Sequence, residues 1–308
     1  MKIGTAYFFD SRNRQMGDLS GLAAKLQEQI ATGKRILTPS DDPIVSARLA
    51  RMAGGAADQT QFASNVKLAQ SILGQSDTAL DSVTNDLQRA QELLVRAGSD
   101  TLNDDNRAAM AAELKSIVDN LYSTANTTDV RGTALFGGSS AGPAYSRAAD
   151  GTISFVGQGE APPIPVGDGV TVQASDSGPR VFGGIQVGGT TKDVFKIVSD
   201  LAKALDVGGS ATPADRKQAL ADASDGLAAA LENVNTARAS IGARGARLDI
   251  QSESLAKAAN DYDIERGNLE GVDIQAAVTD LQKTMLTLQA TQASFTKLSQ
   301  LSLFDYIR

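Results

Sequence analysis

The chain has 308 residues, a formal charge of −7, 5 % aromatics and no Trp, Cys or His. Without Cys or His it lacks disulfides, Cys/His nucleophiles, His acid–base pairs and almost every route to a zinc site. Its Lys and Arg are scattered among the acids, which argues against a nucleic-acid face or an anionic membrane as partner. The charge instead suits a long chain kept soluble before assembly.

At about 150 residues per domain, this length suggests roughly two domains. The first apolar pattern is Leu19, Leu22, Leu26 and Ile30, at three- and four-residue steps. That spacing puts a narrow stripe on one helix face, the seam geometry of a coiled coil. Gly33 is placed to end this helix, and Lys34 and Arg35 suit its negative end. Asp42 before Pro43 starts another, an acceptor side chain followed by Pro at the first helical position. This second helix is expected to loosen near Gly54-Gly55.

A heptad seam then runs through Leu73, Leu80, Val83, Leu87, Ala90, Leu94 and Ala97, and Gly98-Ser99-Asp100 punctuates it. Asp104, Asp105 and Asn106 can cap a helix whose seam is Met110, Leu114, Ile117 and Leu121. From Gly137 to about Lys192 the pattern changes to Gly- and Pro-rich segments with alternation. Within it, 152–156 and 170–173 read as short strands. Another long seam follows: Leu220, Ala223, Leu227, Ala230, Val234, Ala237, Ile241, Leu248 and Leu255. A last stripe comprises Ile274, Val278, Leu281, Met285, Leu288 and Phe295. The fold class is therefore mainly α with a small β insertion. A long-helix coiled-coil rod is built from both chain ends, and the insertion forms an outer β domain.

Neither terminal stripe has a partner within its own segment, and an isolated helix of about fifteen residues is marginal in water. The cover must come from the opposite end of the chain or from neighbouring copies. No apolar run approaches the roughly twenty residues that span a bilayer, and the first thirty residues hold no cleavable secretory signal.

The candidates for chemistry read as structure. Asp41-Asp42 and Asp104-Asp105 sit where helix caps belong, and no His accompanies them. Thr32-Gly33-Lys34 lacks the strand and the Gly-rich run of a phosphate loop. The pairs Gly137-Gly138 and Gly183-Gly184 read as turns. Asn126-Thr127-Thr128 fits a glycosylation sequon, which a helix end explains equally well. No cofactor and no metal is expected.

Four segments together carry a family resemblance. Thr32-Gly33-Lys34-Arg35-Ile36 with Pro39-Ser40-Asp41-Asp42-Pro43 resembles the N-terminal signature of flagellin-like proteins. More narrowly, it is similar to their hook-associated branch, which joins the bacterial flagellar hook to the filament. Flagellins themselves tend to carry Ser-Gly at the first of these places and Asp-Asp-Ala-Ala at the second. The 132–138 segment (Gly-Thr-Ala-Leu-Phe-Gly-Gly) resembles the family's exit from its helical part into the outer domain. Asn268-Leu269-Glu270-Gly271-Val272-Asp273-Ile274 resembles its entry into the final helix. The ending, Leu301-Ser302-Leu303-Phe304-Asp305-Tyr306-Ile307, again looks like the junction branch.

The resemblance implies a nested organisation. Residues 1–42 with 268–308 would form the inner terminal-helix coiled coil, 43–136 with 193–267 a helical domain, and 137–192 the outer β domain. It also implies export through the flagellar type III channel without signal cleavage, and a place in the extracellular flagellum. The implied partners are further copies of the chain in a helical or ring-like array, a neighbouring hook-associated protein, flagellin and an export chaperone. On this reading the terminal stripes stay largely unpaired in the free subunit and become ordered when neighbours bury them. Leu19, Leu22, Leu26 and Ile30 would face Leu281, Met285, Leu288 and Phe295, with Leu301 and Phe304 extending the surface. The loop with Gly33, Arg35, Asp41, Asp42 and Pro43 would make contacts between subunits. The alternatives are a short flagellin that forms the filament itself, and an adhesin or cell-wall enzyme using Asp150, Glu160, Asp168 or Asp176 of the insert.

Overall fold

The computed structural model describes residues 2–99, 102–206 and 212–306, with side chains at 7, 9–99, 102–206 and 212–297. The described chain divides into two compact units: Met1–Asp58 with Lys257–Arg308, and Gln59–Ala256. Thirteen Lys and Arg meet thirteen Asp and Glu in the first unit, against sixteen and twenty-three in the second. The whole net charge therefore belongs to the second unit.

Four elements make up the first unit: α1 (Lys2–Thr32), the start of α2 (Pro43–Ala97), the end of α6 (Pro213–Glu270), and α7 (Ile274–Tyr306). Gly33 takes φ +70°, the left-handed conformation that closes α1 and that L side chains adopt only with strain. Asp42 starts α2 as expected, its Oδ1 accepting from the Val45 N–H at 3.1 Å with Pro43 behind it. The expected loosening at Gly54-Gly55 is absent, since α2 runs unbroken to Ala97. Each Gly costs a helix about 1 kcal/mol, which long flanking stretches of good helix formers override.

The core of the second unit comes from the heptad seams. Leu80, Val83, Leu87, Ala90 and Leu93 of α2 are fully buried, as are Leu114 and Leu121 of α3 (Asp104–Ala125) and Leu227, Ala230, Val234 and Leu248 of α6. At the end of α2 Leu93 is fully buried, and the expected Leu94 and Ala97 pack partly buried against the same core. The N-cap of α3 is Asn103, whose Oδ1 accepts from the Asn106 N–H at 2.8 Å. Asp104 and Asp105 lie inside the first turn, where negative charge favours the helix dipole without capping it.

The Gly/Pro-rich segment forms three separate antiparallel pairs. They are β1 (Tyr145–Arg147) with β2 (Ile153–Phe155), β3 (Ile164–Gly167) with β4 (Val170–Val172), and β5 (Ile185–Val187) with β6 (Thr190–Lys192). The expected strands correspond to β2 and β4, each folding back on a neighbour in the sequence. A lone two-stranded pair is marginal in water. The β1–β2 pair is anchored by a knot of aromatic rings. Phe182 of α4 (Gly178–Phe182) packs edge-on to Phe136 at 5.1 Å and to Tyr145 at 5.8 Å. Phe195 of α5 (Val194–Leu205) lies 4.9 Å from Tyr145 and 5.6 Å from Phe182. Four rings of an aromatic-poor chain thus converge where the strand pairs meet the helices. Burial in this knot pushes the Tyr145 hydroxyl well above its usual pKa.

Two glycines of this unit are expected to respond in opposite directions. A Cβ on Gly178 would lie 2.6 Å from the Tyr145 Oη inside the knot, so Gly178→Ala should cost about 1–3 kcal/mol. Gly74 sits exposed on α2 with nothing near its Cβ position, so Gly74→Ala should gain about 0.5–1 kcal/mol. The urea midpoints of the two variants check both signs.

Candidate assembly surface

Within the first unit α1 and α7 pack against each other antiparallel. Phe9 meets Phe295 edge-on at 5.4 Å near one end, while Lys34 bridges Gly271 near the other. The side chains turned into this pairing are Met16, Leu19, Ala23, Leu26 and Ile30 on α1 and Ala277, Leu281, Thr284, Leu288, Thr291 and Phe295 on α7. Their steps of three and four residues keep a strict heptad register, the condition for a sustained seam.

Of the residues assigned to this coiled coil from the sequence, Leu19, Leu26, Ile30, Leu281, Leu288 and Phe295 are partly buried on it. Leu22 and Met285 are not, being 47 % and 37 % exposed. Their places belong to Ala23 and Thr284, which are buried. Strict seven-residue spacing back from Ile30 would have found Ala23 and Met16; reading only large apolar residues hid Ala23. Leu301 and Phe304 fall on α7 beyond the described side chains. In the structure the two stripes cover each other. Two helices alone cover only one side of each stripe. Leu22, Met285 and Leu286 (69 %) remain open to solvent, and a groove of about 460 Å³ lies between Arg12 and Leu286, Ala290 and Phe295.

The 33–42 segment holds the base of the pairing. The Arg35 N–H donates to the Glu270 carbonyl at 2.6 Å, and the Val272 N–H to the Gly33 carbonyl at 3.0 Å. The Arg35 guanidinium donates to the Leu269 carbonyl at 3.2 Å and faces the Asp42 carboxylate at 3.7 Å. Lys34 pairs with Glu270 at 3.2 Å, and the Gln29 amide donates to the Arg35 carbonyl at 2.6 Å. Asp41 accepts from the Lys25 ammonium and from the backbone N–H groups of Leu37 and Thr38 at 3.0 and 2.9 Å. The Lys25 bond first, then the two amides, hold its carboxyl well below the usual carboxylate range. Asp41 and Asp42 therefore organise a loop and a helix start. Pro43 is exposed beside them.

Three of the four carboxylates proposed for the insert, Asp150, Glu160 and Asp176, are likewise engaged in structure. Glu160 accepts from Gln173 and Ser177, both at 3.0 Å, and the buried Asp176 pairs with Arg244. Asp150 accepts from the Thr152 N–H at 2.9 Å, and Asp168 is exposed. The Asn126 amide of the sequon donates to the Tyr122 and Tyr145 carbonyls and accepts from the Tyr145 N–H at 2.9 Å, tying α3 to β1. No cluster of three metal-ligating side chains occurs among the described residues. Nor is any described helix long and apolar enough to cross a membrane.

Helices from both chain ends, paired with each other and separated by a β-bearing segment, define a mainly α class with a β insertion, and comparison with known proteins identifies its family. The family model for the bacterial flagellin N-terminal helical region matches residues 11–141, and that for the C-terminal helical region matches 225–307. The chain belongs to the flagellin family. Flagellar hook-associated protein 3 of Salmonella typhimurium is 28 % identical over the whole of both chains. A flagellin of Listeria monocytogenes is 25 % identical over 89 % of this chain and 86 % of its own. The solved structure of a chain from Vibrio parahaemolyticus, described as a flagellar hook-associated protein, superposes with a TM-score of 0.67 at 24 % identity. It covers 75 % of this chain and all of that one.

The depressed pKa of Asp41 fixes the sign of an acid effect. A carboxyl whose folded pKa lies below its unfolded value of about 3.9 stabilises the loop at higher pH and loses this as pH falls towards the folded pKa. Asp41→Asn should therefore speed hydrogen exchange of the Leu37 and Thr38 amides at pH 6 and 7. The difference from the parent chain should shrink as the pH is lowered below 4. A constant difference across that range would mean the charge is not what holds the loop.

Proposed function

We propose that this chain is a structural subunit of the bacterial flagellum that joins hook to filament, assembling with copies of itself through its terminal helices. The observation that carries the junction role is the match, at 28 % identity, that spans all of this chain and all of a hook-associated protein. Shared membership of the flagellin family leaves one second reading, a short flagellin that builds the filament itself. Against it stand Asp41-Asp42-Pro43 and the Ser302-Leu303-Phe304 ending, which resemble the junction branch.

Assembly rests on the half-covered seam. Leu22, Met285 and Leu286 offer apolar surface that one chain leaves in water, and burial of such a side chain is worth about 1.5–3 kcal/mol. A contact between different faces of successive copies generates a helical or ring-like layer instead of a closed pair. Residues 1–42 with 268–308 would form the inner layer, 43–136 with 193–267 the helical middle, and 137–192 the exposed part. The role is non-enzymatic. Export proceeds through the flagellar channel without cleavage and with a chaperone, and the flanking partners are a second hook-associated protein and flagellin.

Electron microscopy of protein mixed with bare hooks or with filament fragments tests this. A short, self-limited layer on hook ends is expected, whereas long filaments would establish the flagellin reading. Leu22→Asp or Met285→Asp should block the layer while leaving the melting transition of the single chain within about 2 °C. Undiminished layers in both variants would remove these faces from the interface.

A further inference from the structure

Asp is followed by Gly at three places in the chain, 150–151, 168–169 and 225–226, and Asn-Gly does not occur. In Asp-Gly the Gly nitrogen is not shielded by a side chain, so it can reach the Asp Cγ and close a five-membered ring. Closure needs a carboxyl without other partners, an N–H not held by a carbonyl, and a backbone that can turn. The fold meets these conditions unequally. Asp225-Gly226 lies inside α6, where the helical ladder fixes the backbone and Gly226 is buried against Ile197 and Val187. At 150–151 both reacting groups are occupied. The Gly151 N–H donates to the Ala148 carbonyl at 3.0 Å, and Asp150 Oδ1 accepts from the Thr152 N–H at 2.9 Å.

At 168–169 neither group is held. These two residues are the loop of the β3–β4 hairpin, whose innermost pair is Gly167 with Val170. Both are exposed. Neither the Asp168 carboxylate nor the Gly169 N–H has a hydrogen-bond partner among the described residues. Gly169 takes φ +66°, and nothing lies within 4 Å of a Cβ placed on it. With Gly167 on its other side, Asp168 is flanked by the two least hindered neighbours a chain can supply. Behind this open loop the hairpin is firmly seated. Val166 and Val172 are buried, the Asn65 amide of α2 donates to the Pro165 carbonyl at 2.7 Å, and Gln251 of α6 lies against Gly167.

We propose that Asp168 is a site of spontaneous isomerisation to isoaspartate, selected by the fold and needing water as its only co-reactant. The Gly169 nitrogen bonds to Cγ of the protonated Asp168 carboxyl, the Cγ–OH bond breaks, and that hydroxyl leaves with the amide proton as water. The product of this step is a succinimide. Water then adds to one of the two ring carbonyls. Opening at Cγ restores Asp, whereas opening at the main-chain carbonyl carbon routes the backbone through Cβ and Cγ and frees the other carbonyl as a carboxylate. One water leaves and one enters, nothing is oxidised or reduced, and the net charge is unchanged. The isoaspartyl chain has one more backbone atom in a two-residue loop. Gly167 and Val170 then lose their pairing, and the hairpin loosens between Asn65 and Gln251. The reaction runs on single folded chains and needs no assembled layer.

The test ages the full chain for weeks in neutral buffer at physiological temperature. Digestion with a protease that cleaves before Asp but not before isoaspartate then reads each position, and electron-transfer fragmentation locates the isomer. Cleavage before Asp168 should fall several-fold faster than cleavage before Asp150 or Asp225. Amide exchange across 164–172 should be faster in the aged chain than in the fresh one. Asp168→Glu keeps the charge but would need a larger ring, so its aged chain should show neither change. In guanidinium chloride, where the fold is gone, the three positions should isomerise at similar rates. Equal or faster loss at 150 or 225 in the folded chain would overturn the proposal. So would a lead of 168 that persists undiminished in the denaturant, because the fold would then not be what selects it.

Discussion

Everything in the first unit follows from the inability of either terminal helix to cover its own stripe. α1 and α7 are 31 and 33 residues long, yet each offers a narrow apolar edge filled in part by Ala and Thr. Such a seam gains little per turn, and the entropy of bringing together segments more than two hundred residues apart opposes it. The short bridge at Lys34 and Gly271 lowers that obstacle, because once it forms the two helices start side by side. The apolar surface on the outer sides of the pair stays open to solvent.

The second unit solves the opposite problem. Its seams are rich in Leu, Ile and Val, and many of these residues are fully buried in α2, α3 and α6. The insert has too few residues per strand pair to stand alone, so it borrows the helical core through Phe136, Tyr145, Phe182 and Phe195. The two units thus differ: the second buries most of its seam positions within itself, while the first leaves Leu22, Met285 and Leu286 in water.

Most of this organisation is legible in the amino-acid order, for reasons that are local. The Leu114–Leu121 and Leu227–Leu248 seams could be read because core-facing positions repeat with the helix. Asp42 and Gly33 could be read because a cap and a left-handed turn demand particular side chains. Legibility failed where neighbours, not the local segment, decide. Gly54-Gly55 remain helical because α2 continues on both sides, and Ala23 displaces Leu22 from the seam because α7 accepts the register and not the size. The loop at 33–42 was recognisable as a motif, but its bonds to Leu269, Glu270 and Val272 depend on a segment no local pattern could point to.

The division of charge has a consequence for how copies meet. The unit with the incomplete seam carries no net charge, so no net-charge repulsion opposes bringing copies of it together. The acidic unit repels its like, and that repulsion reaches about 10 Å in 0.1 M salt and shortens as salt is added. Ionic strength therefore acts as a one-sided dial, relaxing the spacing of the acidic units while leaving the apolar attraction of the neutral ones in place.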